Sequence, residues 1–413
     1  MRTLAAAVMC IGIVAASAAP GVASVLVGDV IESSSERVFI NVFGNHGIPM
    51  TVVAPAIHEA EALDVIRREK LFRDKQLEIA ASVVQWSADS GAGDAPVFDT
   101  EIQDGRLRLM FVCCHPLIPQ EAQTALALKT LCGFSAAEIA KAFLTTDAAI
   151  AKRLTRARQK IRERRIPFEI PSGEELSSRL DSVLQTLYLL FNEGYKASSG
   201  ESLVREELCS EAIHLATLLA EHPVGNQPRT HALVALMLLN GARLPARVDP
   251  EGNILCLKEQ DRSRWNRAMI DGGMLHLGQS AAGDELTAYH LQAGIAACHC
   301  AATDYESTDW MQILSLYDRL VERDDSPIVA LNRAVAVAQI HGPRAGIDAV
   351  QAIQNSGQLN SYYLLYAVLG EFEAQLSNFP GAANHLRKAL RLTEVKSEQS
   401  LLSKKLRDCE QSR

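Results

Sequence analysis

The stretch SAAEIAKAFLTTDAAIAKRLTRARQKIRERR, Ser135 to Arg165, decides how this chain is read. Ser135 offers its hydroxyl as an N-cap, and Glu138 three residues later completes a capping box. Ile139, Ala140 and Phe143 then supply the buried face of a short helix. Leu144-Thr145-Thr146 forms a tight turn, and a longer helix begins near Asp147, with Ile150, Leu154, Ala157 and Ile161 at spacings of four, three and four along its inner stripe. Its outer face carries Lys152, Arg153, Arg156, Arg158, Lys160, Arg162, Arg164 and Arg165, opposed only by Glu163. Upstream, Gly133 ends a preceding helix that runs from Glu121 to Leu131 behind Pro119.

A short helix, a tight turn and a longer basic helix match what the major groove of DNA accepts. Early residues of the second helix reach base edges and later basic ones reach phosphates. Thr146 at the entry, with Asp147, Ala148, Ala151 and Lys152, is therefore expected at the bases, and Arg153, Arg156, Arg158 and Lys160 at the backbone. A basic face turned only to solvent is the competing reading, because many basic helices never touch DNA. The capped helix and turn that precede this one favour DNA.

The run Leu131-Cys-Gly-Phe-Ser-Ala-Ala-Glu-Ile-Ala-Lys-Ala-Phe-Leu144, followed by Ile150-Ala-Lys-Arg-Leu-Thr-Arg-Ala-Arg-Gln-Lys-Ile161, resembles region four of bacterial extracytoplasmic-function sigma factors of the sigma-70 family. Arg165-Ile-Pro-Phe-Glu-Ile-Pro171, Leu190-Phe-Asn-Glu-Gly-Tyr-Lys-Ala-Ser-Ser-Gly200 and Asp261-Arg-Ser-Arg-Trp265 extend the likeness to the subgroup with a long C-terminal helical extension. The resemblance implies a cytoplasmic initiation factor that brings core RNA polymerase to promoters through the minus-35 element, with no cofactor and no catalytic residue. It covers the chain from about Ala62. Members of the family also carry a region-two domain before region four; here only Ala62 to Phe72 looks like its last helix. A helical-repeat interaction module without initiation activity is the alternative that this truncation leaves open.

Composition bounds the remainder. With 413 residues, 48% of them hydrophobic, the chain has material for two or three domains, and its net charge of −8 confines any DNA contact to a local patch. Scarce aromatics and few Val, Ile and Thr runs predict an all-α chain, a region-four helix-turn-helix domain followed by a helical, tetratricopeptide-like (TPR-like) C-terminal domain. The expected divisions are an unassigned segment 1–56, a region-two remnant 57–86, a linker 87–104 rich in Gly, Asp and Ser, region four at 105–170, a helical extension at 171–325 and a TPR-like segment at 326–413. In that last segment Leu365, Leu369, Gly370, Phe372, Ala383, Leu386, Ala389 and Leu390 resemble one tetratricopeptide helix pair, with Pro327 to Ala352 as its neighbour. Such an array or a plain helical bundle offers a surface for a regulatory protein.

Met1 to Ala19, with one Arg, an apolar stretch and Ala16-Ser17-Ala18-Ala19, looks like a secretory signal. A secreted chain never meets RNA polymerase, so a start-site artefact and a cytoplasmic protein is the preferred reading, with no membrane partner. Cys113-Cys114-His115 and Cys298-His299-Cys300 place adjacent side chains about 100° apart on a helix, so buried thiols are expected there, not metal ligands. Asn192-Glu193-Gly194-Tyr195 and Asp261-Arg262-Ser263-Arg264-Trp265 suit either a small-ligand pocket or interdomain ion pairs and caps. No P-loop, dinucleotide fingerprint, nucleophile elbow or zinc-protease motif appears, so no enzyme is expected.

Overall fold

The computed structural model describes the backbone of residues 26–33, 37–43 and 49–55 and, further along, residues 102, 104–166, 171, 173–197, 204–247, 249, 254–354 and 359–412. The signal-like residues 1–19 and the region-two remnant 57–86 lie outside them, as does nearly all of the linker 87–104.

Residues 18–97 form a compact unit of their own. It contains a three-stranded antiparallel meander, β1 (Leu26–Ser33), β2 (Arg37–Phe43) and β3 (Pro49–Pro55), in the order β1-β2-β3. The β2–β3 register runs without interruption from Arg37 opposite Pro55 to Phe43 opposite Pro49, whereas β1 slips twice against β2. Composition gives no warning of this sheet, because VFINVF and MTVVAP are short islands in a chain dominated by Ala and Leu.

From Gly105 onward the described structure is helical. Four helices make the first group: α1 (Gly105–Cys113), α2 (Gln120–Thr130), α3 (Ala136–Ala142) and α4 (Asp147–Glu163). Then follow α5 (Glu174–Tyr195), α6 (Glu206–Glu221), α7 (Pro228–Gly241), α8 (Arg267–Ser280) and α9 (Ala288–Ala301), with three short 3-10 turns between α7 and α8. The last group is α10 (Trp310–Val321), α11 (Pro327–His341), α12 (Pro343–Gln354), α13 (Tyr363–Gln375), α14 (Phe379–Leu392) and α15 (Lys396–Gln411).

Helix α5 organises the first two groups. Sixteen of its 22 residues are buried, so apolar surface must be covered nearly all round, and α1, α2, α6 and α7 cover it. One continuous core results, from Ile102 through Phe111, Leu128, Ile139, Leu187 and Leu236 to Cys300, without a break near residue 170. A second core, Ile328 to Cys409, is built by α11 to α15, and a smaller one joins α9, α10 and α11. A single residue, Gly342 at φ +87°, turns α11 into α12, and a three-residue connection with Ser377 at φ +61° turns α13 into α14. Both pairs thus double back as helix hairpins. Small residues allow the close approach: a Cβ on Gly370 would lie 3.0 Å from Leu386.

A contact against backbone joins α5 to α6. A Cβ on Gly194 would sit 2.6 Å from the Cys209 backbone nitrogen and 2.9 Å from the Arg205 carbonyl oxygen, and neither backbone atom can swing aside. Gly194→Ala is therefore expected to destabilise the helical part of the chain by about 1–3 kcal/mol, read as a lower urea midpoint with an unchanged slope.

Candidate nucleic-acid interface

The capping box expected at the start of α3 is present: the Ser135 hydroxyl accepts from the Glu138 N–H at 3.1 Å, and the Glu138 carboxylate accepts from the Ser135 N–H at 2.6 Å. Leu144 enters the left-handed region at φ +50° and turns the chain sharply, after which the Thr146 hydroxyl caps α4 by accepting from the Ala149 N–H at 3.3 Å. Ile150, Leu154 and Ala157 are buried, and Ile161 is partly buried against the same core. Arg165, at φ +46°, closes the helix.

The side chains expected at DNA divide into two sets. Thr146, Asp147, Ala148, Ala151, Lys152, Arg156 and Arg158 are exposed, and Lys160 is half-buried. Among the described residues none of Lys152, Arg156, Arg158 or Lys160 forms an ion pair, so their charge is available to an outside partner. Arg153 stands apart: it pairs with Glu121 of α2 at 2.6 Å and lies over the Phe143 ring at 5.4 Å. Its reach to a phosphate requires that pair to open.

Sequence reading missed the groups that brace this module. Glu138 is 3% exposed and, besides capping α3, pairs with Arg205 at 3.5 Å; Arg205 also approaches Glu193 at 3.8 Å. Arg106 of α1 pairs with Glu211 of α6, and the buried Arg179 of α5 donates to the Phe111 carbonyl at 3.1 Å. Asn192-Glu193-Gly194-Tyr195 is thus largely an interhelical joint. In the second conspicuous motif, Asp261 caps a 3-10 turn, and Arg262 donates to the His299 and Ala302 carbonyls and to Thr308. Arg243 and Arg262 both lie against the Trp265 ring.

Cys113, Cys114 and Cys300 are buried, and no group of three or more His, Cys, Asp or Glu among the described residues is placed to hold a metal ion. Burial pushes the Cys113 thiol up to about 12. No described helix is long and apolar enough to cross a membrane.

With this geometry in place, comparison with known proteins separates the chain into two matched segments. Residues 108–161 match the family model "Sigma-70, region 4", which spans α1 to α4. Over that segment the chain is similar to region 4 of sigma-70 factors. Residues 179–281, from α5 to just past α8, match a family of unknown function, DUF6596. The uncharacterized protein R00370 of Rhizobium meliloti (strain 1021) is 37% identical over 305 residues, which is 74% of this chain and 71% of that protein, and the two belong to one family. No solved structure matches. Sigma-factor-like DNA binding by residues 108–161 follows from the region-four match together with the exposed basic face of α4.

His299 gives a direct check on the packing behind α7 and α9. It is buried against Trp310, and burial, then the nearby Arg243 and Arg262, hold its imidazole down to about 3. Unfolded, the ring takes a proton below about pH 6.5, while the folded ring does not until about 3, so this group removes stability as pH falls through that window. His299→Gln is expected to lower the pH-dependence of unfolding free energy near pH 5 by up to about 1.4 kcal/mol per pH unit, measured by urea unfolding at a series of pH values.

Proposed function

We propose that the chain is a sigma factor of the extracytoplasmic-function type, which directs core RNA polymerase to promoters by placing the outer face of α4 on the minus-35 element. The carrying observation is the contrast between a chain of net charge −8 and one capped, unpaired basic helix face. Thr146, Asp147, Ala148, Ala151 and Lys152, at the N-terminal end of α4, meet base edges. Arg156, Arg158 and Lys160 neutralise phosphates, and Arg153 joins them when its pair with Glu121 opens. The helix hairpins after Pro327 form a TPR-like surface for a regulatory protein, and the whole works in the cytoplasm.

A fluorescence-anisotropy salt titration of the full chain on promoter duplexes tests this reading. The expected log–log salt slope becomes shallower by about one for each of Arg156→Ala and Arg158→Ala, while Lys152→Ala also narrows the preference for promoter over scrambled duplex. Binding that is indifferent to all three substitutions contradicts it.

A further inference from the structure

Glycine lets α8 lie close on α7: a Cβ on Gly273 would stand 2.7 Å from Leu239 Cγ, and one on Gly272 3.5 Å from Leu238. Yet of the 14 residues of α8 only Ile270, Gly273 and Ser280 are buried. Little apolar surface holds this helix in place, so the polar contacts along its seam count for more.

One of those contacts joins two imidazoles. His231 of α7, 8% exposed, and the half-buried His276 of α8 face each other with Nδ1 2.9 Å from Nδ1. A hydrogen bond between two ring nitrogens needs a hydrogen on one and a lone pair on the other. His231 Nε2 lies 3.0 Å from Asn226 Oδ1, which only accepts, so that nitrogen carries a hydrogen. Neutral His231 therefore offers its Nδ1 lone pair, and His276 donates its Nδ1–H. A first proton adds at His276 Nε2, and the bond survives, because the imidazolium still donates through Nδ1. A second proton has only the His231 Nδ1 lone pair to take. Two cationic rings would then point N–H at N–H, and the bond is lost.

The surroundings do little to offset a second charge. Burial holds both imidazoles below their ordinary range, His276 further through the nearness of His231, and the carboxylate acting against this is Glu221 at the end of α6. Arg229, on the first turn of α7, pairs with Asp181 at 3.2 Å and Glu285 at 3.1 Å. From α9, His290 donates to the Ser280 carbonyl at 3.1 Å, and burial holds its imidazole down as well.

We propose that His231 and His276 form an acid-released latch between α7 and α8, which stays shut with one proton on the pair and frees α8 when the pair takes a second. Opening uncovers Leu238 and Leu239 within the segment that matches the family of unknown function. Below the ordinary imidazole value of 6.5 the open seam binds two protons where the closed seam binds one, so opening becomes about tenfold more favourable for each pH unit lost. The latch does not depend on the promoter reading, and failure of either leaves the other standing.

Hydrogen–deuterium exchange of the full chain, followed by mass spectrometry on peptides covering 267–280 and corrected for the intrinsic pH dependence of exchange, tests the latch. Protection of those amides is expected to fall about tenfold between pH 6 and pH 5. In His276→Gln the fall shrinks to about twofold or less, because a glutamine amide turns to donate to His231 or to accept from it in either charge state. Each variant is compared with itself at two pH values, so a general loss of stability drops out. His290→Gln keeps the wild-type fall. A wild-type change within about twofold overturns the proposal, as does a fall of about tenfold that persists in His276→Gln or vanishes in His290→Gln.

Discussion

Helix α5 cannot be left partly bare. Leu176, Leu180, Val183, Leu184, Leu187 and Phe191 line one stripe, but every residue from Ser182 to Phe191 is buried, and Tyr188 and Leu189, which lie off that stripe, are kept from water only when helices pack on more than one side. Region four supplies α1 and α2 to one side, and the segment matching the family of unknown function supplies α6 and α7 to the others. The DNA-binding module and its extension therefore share one core. This dependence also explains where charges have been buried: Arg179 and Glu138 sit at seams around α5, where a carbonyl or an opposite charge satisfies them.

The same bracing sets what α4 can offer. Its inner stripe is fixed by α2 and α3, the turn before it is fixed by the cap at Thr146, and α3 is held through Glu138 and Arg205. A helix held on one side and left unpaired on the other presents its basic residues in a fixed array, which suits recognition better than a flexible basic tail. Arg153 is the exception within that array, because it faces inward to Glu121 and Phe143. At its far end α5 leads into Lys196, whose ammonium reaches the buried Glu398 and Tyr363 of the C-terminal helices, so the first and second cores are joined by a polar network.

Local chemistry was legible in the sequence, and distant partnership was not. The capping box at Ser135, the end of α2 at Gly133, the start of α4 after Thr146 and the hairpins after Pro327 and Tyr362 each depend on residues within one or two turns of one another. Arg205 could not be matched to Glu138, 67 residues earlier, nor Lys196 to Glu398, because no periodicity links residues that meet only through tertiary packing. Arg153 shows the limit from the other side: helical spacing puts it beside the outward-facing basic residues, yet Glu121 on a neighbouring helix turns it inward. The sheet of residues 26–55 went unread because its strands lack a strong alternating pattern or a two-residue hairpin turn.

The central claim, that the N-terminal outer face of α4 meets promoter bases, is tested most directly by photocrosslinking. Ala151 is exposed, and p-benzoylphenylalanine in its place would put a reactive ketone on that face of the full chain; Leu275, exposed on α8, takes the same group as a control. Adducts from position 151 that map to bases of the upstream promoter element, with none from position 275, are the expected result. Absence of adducts from position 151 on a duplex that the chain demonstrably binds, or equal adducts from both positions, would contradict the account.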